Sequence, residues 1–184
     1  MRYAVNKAAR IIVNYCIQNG IGNIVFGWNK EIKNGVNLGS QNNQTFVQIP
    51  TAKLKERIFQ LCQIYGIEFV ETEESYTSQS SFLDGDVLPV FGNKSEGWNS
   101  SGKRVKRGLF VTAKGIEVNA DCNGSANVLL KVKEQLNLDL AKTYRGLLTV
   151  PQRVFLWKNN CKKLRGVATL RERQGRTALP VATV

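Results

Sequence analysis

The sequence predicts an α/β fold, on three observations. Residues 21–28 form a short apolar run rich in β-branched and aromatic side chains, residues 50–66 carry a helical repeat of apolar positions, and residues 67–71 return to a strand-like pattern. A strand, a helix and a strand in that order imply a parallel pair joined by a right-handed crossover. The third observation lies further along, where residues 116–119 read as a strand and give way directly to a helix.

Taken in order, Ala8, Ile11, Ile12 and Tyr15 fall on one face of an amphipathic helix that ends near Gly20, a helix-stop residue. The strand at 21–28 is bounded by Gly20 and Asn29, and residues 29–48, rich in Asn, Gly and Gln, read as a loop. Pro50 and Thr51 open the second helix, with Leu54, Ile58, Leu61, Cys62 and Tyr65 as its core face and Gly66 as its stop. Residues 75–107 are polar and turn-rich, with a lone Pro89, and have the character of an insertion. Residues 108–112 and 116–119 are expected to form a hairpin around Lys114 and Gly115. A helix from about residue 123 to 138 follows, in which Leu129, Val132 and Leu136 repeat at helical steps. The organisation is thus one domain over 1–138, interrupted by 75–107, and a basic tail over 139–184 whose residues 170–184 hold too little apolar content to predict order. No internal repeat occurs.

A chain of 184 residues has room for one domain with an ordinary core and a tail. Its 26 Lys and Arg against 14 Asp and Glu give a net charge of +12, which favours a polyanionic partner, nucleic acid first, over an acidic protein. A basic solvated face is the simpler alternative. The distribution sharpens this. Residues 136–184 hold Asp139 and Glu172 as their only acids, whereas residues 68–96 set Glu68, Glu71, Glu73, Glu74, Asp84, Asp86 and Glu96 against Lys94 alone. The absence of histidine excludes Ser-His triads, Cys-His pairs and zinc sites that need imidazole. Cys16, Cys62, Cys122 and Cys161 make no Cys-x-x-Cys pair, so they read as reduced, mostly buried thiols and no zinc site is expected. The amino-terminal residues lack the apolar core of a signal peptide and no run of about 18 apolar residues occurs, from which a cytoplasmic protein without a membrane partner is expected.

The segment from Val118 through Asp121, Asn123, Gly124, Ser125, Ala126 and Asn127 to Val128 places an acid at the strand-to-helix junction. Spacing alone leaves two readings open. Asp121 is a metal ligand, or the carboxylate of Asp121 or the amide of Asn123 caps the helix by accepting its first N–H groups. A calcium loop is excluded, because Ala126 stands at the turn glycine and Val132 at the closing glutamate.

Asp121, Asn123, Gly124, Asn127 and Val128 resemble the third catalytic motif of the insertion-sequence TnpB/OrfB family, relatives of the type V CRISPR effector nucleases, with Ser125 where the family usually has Ala. The likeness extends in the same order through residues 24–30, 42–47, Ile49-Pro50, 73–79 and 81–84, and covers roughly residues 3 to 135. It implies the C-terminal half of an RNase H-like (RuvC-type) nuclease fold, with 75–107 at the place of a lost zinc ribbon. It also implies that Met1 starts inside the domain, without the family's first Asp-bearing strand, so the chain is expected to be truncated.

Nucleases of this fold hydrolyse phosphodiesters with two Mg ions held by converging carboxylates. In the resembled family these are an Asp on the first strand, a Glu at the second motif and the Asp matching Asp121. Many members place that Glu where this chain has Gly27, which has no side chain to offer. Glu74, with Glu73 or Glu71 as understudies, is the candidate relocated ligand, set against the plainer reading of a solvated acidic strand end. Lys103, Arg104, Lys106 and Arg107 form a compact basic cluster suited to phosphates, as do Lys162, Lys163 and Arg165 in the tail, and Trp98 is a candidate for stacking on a base.

The resemblance therefore implies a transposon-encoded protein, of a kind often called transposase, that binds DNA and, in the intact family, a guide RNA. Its Mg-dependent endonuclease activity is expected to be lost in this chain. The alternatives are one half of a split nuclease completed by an N-terminal fragment, and a nuclease-dead DNA-binding repressor.

Overall fold

The computed structural model describes residues 2–29, 50–141, 143, 145–151, 156 and 182–183. The described residues form a mixed α/β structure of two small sheets and the helices packed on them. The loop expected at 29–48, except Asn29, lies outside them, as do Cys161, Lys162, Lys163 and Arg165.

Helix α1 (Arg2–Gln18) buries Val5, Ala9, Val13 and Cys16. This stripe lies one position round from the expected face, and Tyr15 is left exposed. The helix is apolar over much of its circumference, and the smaller side chains of Ala9 and Cys16 permit the closer approach of a second helix. That helix is α2 (Thr51–Tyr65), which turns Ile58, Leu61 and Cys62 inward and ends at Gly66, whose φ of 67° and N–H to the Cys62 carbonyl close its last turn. Tyr65, expected on the core face, sits at the surface instead, where its hydroxyl accepts a 2.7 Å hydrogen bond from Arg10 Nη1 of α1.

Strands β1 (Asn23–Gly27) and β2 (Glu68–Thr72) are parallel, in register from Asn23 opposite Glu68 to Gly27 opposite Thr72, as the strand, helix, strand rhythm predicts. Alternation along β1 gives the sheet two apolar faces. Ile24 and Phe26 join Ala9, Val13, Ile58 and Leu61 beneath α1 and α2, while Val25 and Val70 meet Val128 and Val132 on the opposite side. The pair is therefore sandwiched between helices, the usual condition for parallel strands.

The second sheet is antiparallel, in the order β3 (Lys103–Lys106), β4 (Leu109–Val111), β5 (Glu117–Asn119). Strands β4 and β5 are the expected hairpin, whereas β3 turns the end of the polar insertion into an ordered edge strand. Gly102 enters β3 so close to the sheet that a Cβ there would stand 2.5 Å from the Phe110 ring and 2.7 Å from the Val111 carbonyl, so only glycine fits. Phe110 and Val118 pack with Ala120, Ala126 and Leu148, the last from the short helix α4 (Arg145–Thr149).

Helix α3 (Ala120–Lys131) links both sheets, since its Ala126 packs on Phe110 and its Val128 on Val25. It begins three residues earlier and ends seven residues sooner than expected. Residues beyond Lys131 continue as turns to Asn137, which takes a φ of 49°. From the basic tail, β6 (Ala182–Thr183) pairs in parallel with Ile24 and Val25 on the other edge of β1, a piece of order not foreseen in residues 170–184.

Candidate nucleic-acid interface and carboxylate site

Strand β5 runs straight into α3, and the residue that satisfies the first turn of the helix is Asn119. Its side-chain oxygen accepts hydrogen bonds from the N–H groups of Asp121 at 2.9 Å and Cys122 at 3.0 Å. This corrects the capping assignment to Asp121 or Asn123. With the cap made elsewhere, the Asp121 carboxylate projects from the first turn at 81% side-chain exposure, and its nearest counter-charge is Arg104 Nη2 at 3.9 Å.

The two asparagines that follow face inward. Asn123, fully buried, accepts from Phe82 N–H at 3.1 Å and donates to the Ser80 carbonyl at 2.7 Å. Asn127, also fully buried, donates to the carbonyls of Thr77 at 2.9 Å and Ser80 at 2.8 Å. They pin the start of the insertion to α3 by satisfying backbone groups that would otherwise be buried unpaired. Sequence reasoning missed this role. The signal was two polar residues four apart on one helix face, opposite a segment with few apolar anchors.

The insertion is closed on itself by carboxylates. Asp86 accepts from Ser81 N–H at 2.7 Å, Ser100 Oγ and Ser101 N–H at 3.1 Å, and Ser101 Oγ, while Asp84 accepts from Ser81 Oγ at 2.6 Å and Ala113 N–H at 2.8 Å. Burial alone would raise the Asp86 pKa, but the hydrogen bonds from Ser101, Ser81 and Ser100 outweigh it and hold the carboxyl below its ordinary value. Trp98 serves the same scaffold: its indole N–H donates to the Val87 carbonyl at 2.9 Å and its ring meets Tyr76 edge-on at 5.7 Å. This is a packing role rather than a free platform for a base.

The acidic end of β2 separates into distinct roles. Glu71 accepts from Lys55 Nζ at 2.6 Å, and Glu73 is ion-paired with the largely buried Lys131 and accepts from Ser75 N–H at 2.8 Å. Burial opposes ionisation of Glu73, but Lys131 and Ser75 prevail and lower its pKa. Glu74 makes no ion pair among the described residues. It is half-buried, and desolvation first, then repulsion from Glu73, raises its pKa.

Gly27 explains where Glu74 goes. A Cβ on Gly27 would lie 3.3 Å from Glu74 Cβ and Oε2 and 3.2 Å from Val128 Cγ2. The missing side chain at 27 leaves the space that the Glu74 carboxylate borders, so an acid still reaches the end of β1, from two residues past the end of β2.

Because this acid is harder to ionise in the folded chain than in the unfolded one, it opposes folding once pH exceeds its ordinary 4.5. Glu74→Gln is therefore expected to stabilise the protein at pH 7, with the gain shrinking as pH falls through the raised pKa of the folded chain and gone below 4.5. Urea titrations of both proteins at pH 7 and pH 4 measure it, and an equal difference at the two pH values contradicts it.

Asp121 and Glu74 present oxygen donors of the kind Mg takes. Yet Glu74 borders Val128 through Gly27, and Asp121 stands two turns away along α3, roughly 10 Å at 1.5 Å per residue. No group of three His, Cys, Asp or Glu side chains able to hold a metal ion occurs among the described residues. Among the described residues, two carboxylates so placed are fewer than a two-ion centre needs.

What lies beside Asp121 is positive. All residues of β3 are exposed, Arg107 is exposed after it, and the strand is the edge of its sheet. Lys103 pairs with Val111 and Lys106 with Leu109, whereas Arg104 pairs with Phe110, because the register shifts between Arg104 and Lys106. Cross-strand partners share a face, so the bulge sends both lysines to one side and Arg104 alone to the side packed on α3. Arg145 lies at the opposite edge, its Nε donating at 3.4 Å to the Glu117 carbonyl.

Comparison with known proteins finds no family model that matches the chain and no curated protein that matches it. No helix among the described residues is long and apolar enough to cross a membrane.

Proposed function

We propose that this chain is a nucleic-acid-binding protein of the TnpB/OrfB type that grips the phosphodiester backbone through the exposed basic strand β3 and does not cleave it unaided. The supporting observation is the edge strand itself, where Lys103, Arg104 and Lys106, followed by Arg107, stand in water and Arg104 faces the acid of the family-like motif. An edge strand of this charge repels other strands and attracts phosphates. The net charge of +12 extends the attraction to the rest of the surface. In this reading Asp121 keeps the place of the family's catalytic acid without composing a Mg centre together with Glu74, and DNA is the partner, with RNA as the guide strand.

Fluorescence polarisation of the full chain with a labelled DNA duplex, across about 50 to 200 mM KCl, tests the reading. The expected log–log slope is negative by several units, near 0.9 for each phosphate neutralised. Binding without salt dependence, or no binding, overturns it.

A further inference from the structure

We infer that Asp121 restrains the nucleic-acid interface by competing with phosphate for Arg104, an inference that rests on the binding role proposed for β3. The bulge in β3 makes Arg104 the basic residue of that strand on the α3 side, since Lys103 and Lys106 share the faces of Val111 and Leu109. Arg104 reaches Asp121 there, and both side chains are open to solvent, at 45% and 81% exposure. A guanidinium so placed can turn to a phosphate oxygen with no buried contact to break, and its fork suits phosphate as well as carboxylate. The Asn119 cap fixes the backbone of the first turn of α3, from which the Asp121 side chain projects toward Arg104. A backbone phosphate lying along β3 therefore meets the negative charge of Asp121 and a guanidinium ion-paired with it at 3.9 Å. Binding must break this pair, and anything that neutralises Asp121 releases Arg104 to the nucleic acid.

The test is a double-substitution cycle on the full chain, with a labelled DNA duplex and a labelled single-stranded RNA as separate probes and with divalent metal chelated. Asp121→Asn is expected to tighten binding roughly twofold to fivefold, the range of an exposed ion pair. Arg104→Gln is expected to weaken binding and to reduce the salt slope by about 0.9 on duplex, or about 0.7 on single strand. With Arg104 replaced, the gain from Asp121→Asn is expected to shrink to what the relief of direct repulsion between Asp121 and the phosphate supplies. The probe that shows this coupling identifies whether DNA or RNA lies on β3. If the gain persists undiminished with Arg104→Gln, or if Asp121→Asn does not tighten binding to either probe, the competition does not exist although the binding reading stands. A wild-type chain that binds neither probe removes both. Both positions are exposed, and circular dichroism of each variant checks that the fold is kept.

Discussion

Replacing Lys103, Arg104, Lys106 and Arg107 together by Gln is expected to remove most of the salt sensitivity of nucleic-acid binding. Each lost phosphate contact lowers the log–log slope by about 0.9, so four contacts account for roughly a hundredfold of the affinity lost between 50 and 200 mM salt on duplex. The four residues are exposed, so their replacement leaves the core of Phe110, Val118 and Ala126 intact and the fold is expected to survive. Polarisation titrations of the variant and the wild type measure the difference. An unchanged slope would place the phosphate contacts elsewhere on the molecule.

The second large effect concerns stability. Asn123→Ala is expected to cost about 2 kcal/mol, because it removes the acceptor of the Phe82 N–H and one donor to the Ser80 carbonyl in a buried setting. Asn127→Ala is expected to cost a similar amount through Thr77 and Ser80. For a domain of this size each corresponds to a melting temperature lower by roughly 4–8 °C. Asp121→Asn, on an exposed side chain of the first helical turn, is expected to cost no more than about 1 kcal/mol. Calorimetry of the three variants distinguishes the roles. If Asn123→Ala melts with the wild type, the clamp between α3 and the insertion is not what the hydrogen bonds imply.

Periodicity made much of the fold legible. The apolar run through Ile24, Val25 and Phe26 and the stop at Gly66 both report local geometry, and both elements stand where the pattern put them. The buried face of α1 was less legible, because apolar residues occur on neighbouring stripes and only packing against α2 selects Val5, Ala9, Val13 and Cys16. The start of α3 turned on a choice among three polar residues in a row of five, and Asn119 won because it alone keeps extended backbone, with a ψ of 130°, while its side chain folds back on the helix.

The candidate site was half legible. An acid at the junction and a basic cluster upstream can be read directly, and the structure places Arg104 3.9 Å from Asp121. The contact between Gly27 and Glu74 is a long-range matter of which side chain fills a gap at the sheet end, and only the pairing of Gly27 with Thr72 brings the two together. The clamps at Asn123 and Asn127 escaped notice for the same reason, since their partners are backbone groups more than forty residues away.

Hydrogen–deuterium exchange of the full chain with and without a DNA duplex tests the central claim most directly, because it locates the interface without any substitution. The account predicts slowed exchange at residues 103–107 and in the first turn of α3 around Asp121, with α1 and α2 unchanged. Protection confined to α1 and α2, or bound DNA that leaves residues 103–107 exchanging as before, would contradict it.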